Sequence, residues 1–286
     1  MVSLEDLAEP VADDSPTQAL MELGANGALG SWVENGYMIL PRAIPAAAID
    51  AYCDQFEADA IRRARSQPHM SANQLAAAVG NELAAGYGVG TPYMRVAELR
   101  DVALHRNLTA VLDSIHGEPM GLHLNLTGWK STRRGFHVDA YLNPPYVGPF
   151  YAATWIALDD VHADAGPFEF VPGSHRWPAP TQAKVLARMG EDGTDPDWPW
   201  RSEQLLSPLY EREIVNRRAH VERFLPHKGD VLVWSPYLVH RGSVPHDAEL
   251  ERRCLISHYS VVSRRLDMPH VAPWRTQHAD GLYFVL

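Results

Sequence analysis

In the pentapeptide Gly135-Phe136-His137-Val138-Asp139 an imidazole and a carboxylate stand two residues apart. On an extended strand alternate side chains share a face, so His137 and Asp139 would point together while Val138 turns away. A second imidazole, His240, ends the run that leads from Gly229-Asp230 through Val231-Leu232-Val233-Trp234. Two histidines and one carboxylate are the facial set that grips a non-haem iron(II) from one side and leaves other positions open; a closed structural zinc site would want four protein ligands. With 14 histidines and 35 acidic residues in the chain, an HxD tripeptide alone is weak evidence. Its weight comes from its surroundings. His227, His246 and His258 compete for the third ligand position, but the first precedes a Gly-Asp turn, the second falls in a loop and the third lies late in the chain, which favours His240.

About a dozen residues beyond His240, at the start of the next β-type run, stands Arg252. A co-substrate with two carboxylates needs a cation at its far end, and a guanidinium binds a carboxylate through two parallel hydrogen bonds while keeping its charge. The neighbouring Arg253 is the rival, and Arg252 is preferred because it opens the strand motif.

These groups must be positioned by elements whose traces are visible in the pattern. Short β-type segments at 120–129, 135–142, 151–158, 167–171, 220–225, 230–234 and 252–262, separated by Gly, Pro and Asp turns, indicate a sandwich or barrel. Before them lie helical patterns: one starting near Ser15-Pro16, one from Pro45 to Arg65 with Ile49, Tyr52, Phe56 and Ile61 on its core face, one over 72–79, and one from Val102 to His116 closed by Gly117. A strand at Gly36–Leu40 precedes the second, and a Gly-rich turn lies near 86–90. The expected fold is mainly β, a double-stranded β-helix (jelly roll, cupin-like) with flanking helices. Residues 1–16 read as a flexible arm and 17–286 as a single oxygenase-sized domain. Within it, 178–219 reads as a helical insertion of the length that often forms a lid, with the aromatic loop Asp197-Trp198-Pro199-Trp200 placed to close over a ligand.

The composition, 46% hydrophobic and 21% charged, is that of an ordinary globular chain. A net charge of −10 argues against a surface that neutralises phosphates, so no nucleic-acid partner is expected. Two cysteines without a CxxC spacing support neither a disulfide framework nor a thiolate metal site. The N-terminus lacks a signal-peptide pattern, and no stretch approaches the roughly 18 apolar residues of a membrane span. A soluble cytoplasmic protein with a small-molecule partner is the expectation; the oligomeric state is not legible.

Taken in order, His137-Val138-Asp139, Thr154-Trp155-Ile156-Ala157-Leu158-Asp159-Asp160, the run from Gly166-Pro167-Phe168 to Pro172-Gly173-Ser174-His175, Gly229-Asp230 leading to His240, and Arg252 to Tyr259 resemble the phytanoyl-CoA dioxygenase family. Gly36-Tyr37-Met38-Ile39-Leu40-Pro41 is similar to its usual opening, so the likeness covers most of the chain. The resemblance implies an Fe(II)- and 2-oxoglutarate-dependent dioxygenase that uses O2 and releases succinate and CO2, with hydroxylation of a C–H bond as the default outcome and desaturation, epoxidation or cyclisation open to the same chemistry. It implies iron ligation by His137, Asp139 and His240, and pairing of Arg252 with the distal carboxylate of 2-oxoglutarate. Ser243 is a candidate partner for that carboxylate, one position further from the histidine than the family's usual polar residue. The presence of Asp139 argues against the related halogenases, which need a small residue there. Asn125 and Thr127, alternating with Leu124 and Leu126, are candidates to face the co-substrate, and Tyr141, Asn143, Tyr151 and Trp234 to line the substrate pocket. His175 reads as part of a structural turn. The rival readings are a non-catalytic jelly-roll binding protein and a cupin-type metal hydrolase or isomerase.

Overall fold

The computed structural model describes residues 2–9, 28–66, 71–85 and 90–286. The helix expected near Ser15 and the Gly-rich turn at 86–89 lie outside these residues. In chain order the elements are α1 (Leu4–Leu7), β1 (Ala8–Glu9), α2 (Ala28–Asn35), β2 (Tyr37–Leu40), α3 (Ala46–Arg65), α4 (Ala72–Ala85), α5 (Ala97–Ala103) and α6 (Arg106–His116). They continue with β3 (Met120–Gly128), β4 (Tyr151–Ala157), β5 (Phe168–Phe170), β6 (Ala179–Pro180), α7 (Gln182–Met189), α8 (Trp198–Arg217), β7 (Glu222–Phe224), β8 (Val231–Trp234), β9 (His240–Gly242), β10 (Cys254–Val261), β11 (Val271–Arg275) and β12 (Asp280–Phe284).

The central layer is a seven-stranded sheet in the order β11-β12-β3-β10-β4-β8-β2, antiparallel except where β12 runs parallel to β3. Facing it is a three-stranded antiparallel sheet, β7-β5-β9. Between the two sheets Trp155, Phe168, Phe170, Phe224, Leu232 and Trp234 form a core that no helix enters. Each of these residues sits at an alternate strand position, as a pleated surface with one buried face requires. Two facing sheets of this kind, with helices on the outer side of the larger one, are the double-stranded β-helix expected from the strand pattern.

The helices cover the outer face. In α3, Ile49, Tyr52, Phe56, Ala60 and Ala64 are buried at helical spacing, and Arg62, Arg63 and Arg65 crowd the last turn, where the helix dipole favours cations. Ala60 therefore takes the place on the core stripe expected for Ile61, which is only half-buried. The single helix expected over 102–116 is two, broken at Leu104-His105. The break has a partner: Leu104 O accepts from Asp280 N at 3.1 Å and Arg106 N donates to His278 O at 3.0 Å, so the C-terminal hairpin takes up backbone groups that a continuous helix would have paired internally. Gly117 ends α6 at φ 66°, the left-handed position that a glycine adopts without strain.

The N-terminal segment read as an arm is ordered over residues 2–9. Ser3 and Asp6 form a capping box on α1, β1 pairs with β6, and Leu4 and Leu7 are buried with Val138, Leu206, Leu209 and Val239 in a third core. Two leucines one helical turn apart bury enough apolar surface to dock so short a segment.

Residues 135–142 depart from the expected strand. His137 and His240 form an isolated antiparallel bridge, after which Asp139 N and Ala140 N both donate to Pro236 O, at 2.8 and 2.9 Å, and the chain turns into a single 3-10 turn at Ala140–Leu142. No described helix is long and apolar enough to cross a membrane.

The Pro172-Gly173-Ser174-His175 turn is structural. His175 packs against Gly36, where a Cβ would lie 2.5 Å from its Nδ1, and its Nε2 lies 3.3 Å from Val33 O. Burial, with Arg176 beside it, pulls this imidazole down to about 4 from its ordinary value near 6.5. Between those two values the unfolded chain takes up a proton that the native state refuses, so stability falls as pH drops from 6.5 towards 4, by at most about 1.4 kcal/mol per pH unit for this group. Urea unfolding followed across that window is expected to show a shallower decline for His175→Gln than for the wild type.

Candidate metal centre

His137 and His240 lie opposite each other because each backbone N–H donates to the other's carbonyl, both at 3.0 Å. Their imidazoles therefore project to the same side, 4.3 Å apart between ring centroids. Asp139 Oδ1 lies 3.9 Å from His137 Nε2 and 3.8 Å from His240 Nε2. One ligand atom from each residue falls within 4.8 Å of the others, and all three residues are buried. Donors about 2.1 Å from one ion keep roughly 3–3.5 Å between themselves, so the observed spread is close to a ligating arrangement.

The protonation pattern suits a metal as well. His137 Nδ1 contacts Gly135 O at 2.8 Å and His240 Nδ1 contacts Leu238 O at 2.9 Å. A carbonyl only accepts, so Nδ1 carries the proton in both rings and Nε2 keeps its lone pair for the ion. Burial, followed by the charge of Arg134, holds the His137 imidazole well below its ordinary value; burial likewise lowers His240, against the pull of Asp139. Neutral imidazoles are the ligating form. The Trp234 indole N–H donates to Asp139 Oδ2 at 3.1 Å, leaving Oδ1 turned toward the histidines. Phe168 stacks on the His240 ring at 5.1 Å and fixes its plane.

Arg252 shares this cavity. Its side chain is 1% exposed, its Nη1 donates to Gly166 O at 3.1 Å, its Nε has no partner, and no carboxylate among the described residues forms an ion pair with it. Burial penalises the charge. A buried guanidinium without a counter-ion is costly unless an anion arrives to pair it. Its rival Arg253 is engaged elsewhere, with Glu251 at 2.7 Å and over the Trp129 ring at 3.8 Å.

The other candidates separate cleanly. Asn125 is turned from the cavity, its Nδ2 donating to Ser257 Oγ of β10 at 2.8 Å, whereas Thr127 borders the larger cavity but has its hydroxyl engaged by the Tyr52 hydroxyl of α3 at 2.6 Å. Leu124 and Leu126 of the same strand also line that cavity. Ser243 is likewise directed away. His240 and Gly242 share the cavity face of β9, so the next residue points outward, and its hydroxyl donates to Pro167 O at 2.7 Å. The hydroxyl that does reach this part of the cavity belongs to Thr132, whose Oγ1 fills the space beside Gly242 where a Cβ would meet it at 2.4 Å.

Tyr141 is packed under α8, with its hydroxyl 2.7 Å from Ser202 Oγ and its ring edge-on to Trp198, and does not line the cavity. Trp234 lines the metal cavity but serves Asp139 rather than a substrate. Asn143 and Tyr151 do line the larger space, a cavity of about 810 Å³ that opens from the metal ligands. It also takes in His123, Arg134 and Arg265, which the residue pattern did not single out, and His258, which it weighed only as a rival metal ligand. The one available signal was the period of two along β10, which puts His258 on the same face as Arg252.

The insertion at 178–219 meets the site in two ways. Pro196, Asp197, Pro199 and Trp200 border the cavity, with Trp200 60% exposed beside the buried Trp198. The body of α8 lies on the ligand segment, where Glu203 pairs with Arg134 and Ser207 sits so close to Gly135 that a Cβ there would lie 2.3 Å from its Oγ.

Solved structures share this architecture. The epimerase SnoN of nogalamycin biosynthesis, described as non-heme and alpha-ketoglutarate-dependent, superimposes with a TM-score of 0.52 at 18% identity, over 86% of this chain and 82% of its own. EctD from S. alaskensis, solved with 2-oxoglutarate and 5-hydroxyectoine, gives 0.54 at 15% identity, over 90% and 83%. The carbocyclase SnoK, also of nogalamycin biosynthesis, gives 0.51 at 18%, over 91% and 95%. At these identities the likeness establishes the fold. No curated protein matches the sequence significantly. A profile of the phytanoyl-CoA dioxygenase family (PhyH) matches residues 32–253, a span that begins just before β2 and includes all three ligands and Arg252. With that span, the jelly-roll fold and the His-Asp-His centre in agreement, the chain belongs to the phytanoyl-CoA dioxygenase family.

Proposed function

We propose that the protein is an Fe(II)- and 2-oxoglutarate-dependent oxygenase that hydroxylates a C–H bond of a small molecule. The observation that carries this reading is the unpaired, fully buried Arg252 guanidinium in the same cavity as a three-ligand His-Asp-His centre. A diacid co-substrate has a use for that cation, because one end chelates the metal and the buried other end must be neutralised.

The donor set fits iron(II): two neutral imidazoles and one carboxylate on one side of the site. What iron(II) and 2-oxoglutarate supply when bound is O2-dependent oxidation of a C–H bond, with succinate and CO2 released. The chain's own residues contribute position and exclusion. His137, Asp139 and His240 hold the metal from one face. Trp234 fixes the carboxylate through its indole N–H, and Gly135 O and Leu238 O fix the two imidazole tautomers. Arg252, with Thr132 beside it, takes the distal carboxylate of the co-substrate. Asn143, Tyr151 and the apolar side chains Leu124 and Leu126 border the space where the substrate carbon is presented. A cavity of this size lies within the range that encloses a drug-sized small molecule.

Three outcomes are expected. Purified protein given iron(II) and 2-oxoglutarate without oxygen shows the weak visible band of the metal–keto acid chelate, and in air it releases succinate; a chelator, or His137→Ala or Asp139→Ala, removes both. Metal-dependent turnover without 2-oxoglutarate would instead indicate a hydrolase or isomerase. Arg252→Met weakens 2-oxoglutarate binding about 10- to 100-fold, the weight of a charge-assisted hydrogen-bond pair, while iron affinity measured without the keto acid stays near wild type. Trp234→Phe, which frees the Asp139 carboxylate to rotate, lowers iron affinity about 10- to 100-fold in a competition titration and leaves the fold intact by circular dichroism.

A further inference from the structure

His258 stands where the metal cavity meets the larger one and lines both. It is 7% exposed, and its one hydrogen bond among the described residues joins its Nδ1 to the Tyr151 hydroxyl. The other ring nitrogen, Nε2, has no hydrogen-bond partner among the described residues. An imidazole nitrogen set in a cavity with Leu124, Leu126 and Ile256 around it, and left unpaired, carries a desolvation cost that a ligand can relieve.

The direction of the hydrogen bonds behind His258 determines what that ligand group must be. Arg265, itself buried and paired with Asp267 at 2.9 Å, donates from Nη1 to Asn143 Oδ1 at 3.1 Å. The Asn143 amide nitrogen donates in turn to Asp139 O at 3.2 Å. His258 Nδ1 is the one acceptor that the described residues offer the buried Tyr151 O–H, so the phenol donates and Nδ1 receives. The imidazole proton is thereby left on Nε2.

We propose that His258 presents an N–H donor to an accepting oxygen, a carbonyl or carboxylate, on a substrate whose remaining body is largely apolar. The proposal rests on the oxygenase reading, since it assigns the substrate side of that same site. Arg252 and His258 lie six residues apart on one face of the β10 run, so the two donors reach the cavity from different points along the strand. Tyr151 acts as the positioning residue that holds the tautomer, and it borders the same cavity as Asn143 and Arg265. The acceptor oxygen would then be held close to the carbon presented to the metal.

Two measurements test this. Long-range proton–nitrogen NMR of the imidazoles, on protein loaded with diamagnetic zinc and 2-oxoglutarate, is expected to show His258 protonated on Nε2, and a mixture of tautomers in Tyr151→Phe; an Nδ1-protonated His258 in the wild type overturns the proposal. Matched probes differing by an accepting oxygen, α-tetralone against tetralin and 2-naphthoate against naphthalene, are titrated anaerobically into the iron(II)–2-oxoglutarate protein and followed by the visible chelate band. The oxygenated members are expected to bind about tenfold tighter to the wild type, with the preference lost in His258→Phe and kept in His258→Gln, whose amide still donates. Equal affinity within the pairs, no binding of any probe, or a preference that survives His258→Phe overturns the proposal. The chelate band of the wild type without probe reports on the oxygenase reading separately, so either can fail alone.

Discussion

A metal held from one side only needs three ligands that cannot relax away from it, and here they are held by backbone rather than by a rigid strand. The reciprocal N–H to carbonyl pair between His137 and His240 joins β9 to a segment that is otherwise irregular, and both imidazoles leave that pair in the same direction. Asp139 follows because its own N–H and that of Ala140 converge on Pro236 O, which turns the chain back and swings the carboxylate under the rings. Were the segment to slip by one residue, Val138 would replace a ligand and the site would be gone.

Much of the remaining structure secures that junction. The seven-stranded sheet supplies Trp234, which holds the free carboxylate oxygen, and the three-stranded sheet supplies Phe168, which stacks on His240. Because the ligand segment lacks a full ladder of its own, helix α8 lies across it: Ser207 against Gly135, Glu203 paired with Arg134, Ser202 bonded to Tyr141. The N-terminal leucines, Leu4 and Leu7, close the same core from outside. The insertion is thus a buttress for the metal ligands along most of its length and a cavity wall at its N-terminal end.

The cavity concentrates polar groups along one strand. On β10 and the residue pair before it, Arg252, Cys254, Ile256 and His258 face inward in turn, so a cation and a neutral imidazole share one face of the strand with Cys254 and Ile256 between them. Burial keeps the imidazole of His258 low, at about 4, and so uncharged near neutrality.

The sequence by itself determined the donor types of the His-Asp-His set and their order along the chain. The His137 and Asp139 pair was legible because its spacing is local, and the β texture around it, His240 and Arg252 was legible because burial on one pleated face imposes a period of two. That same period states which residues share a face but not which face is turned inward. Only packing decided that Leu124 and Leu126 look into the cavity while Asn125 bonds Ser257 and the Thr127 hydroxyl is taken up by Tyr52. It decided too that Ser243 turns out and Thr132 takes its place, that Tyr141 supports α8, and that Trp234 holds Asp139. These choices depend on residues far apart in the chain coming into contact, where the free energy of burying one side chain is set by what lies opposite it.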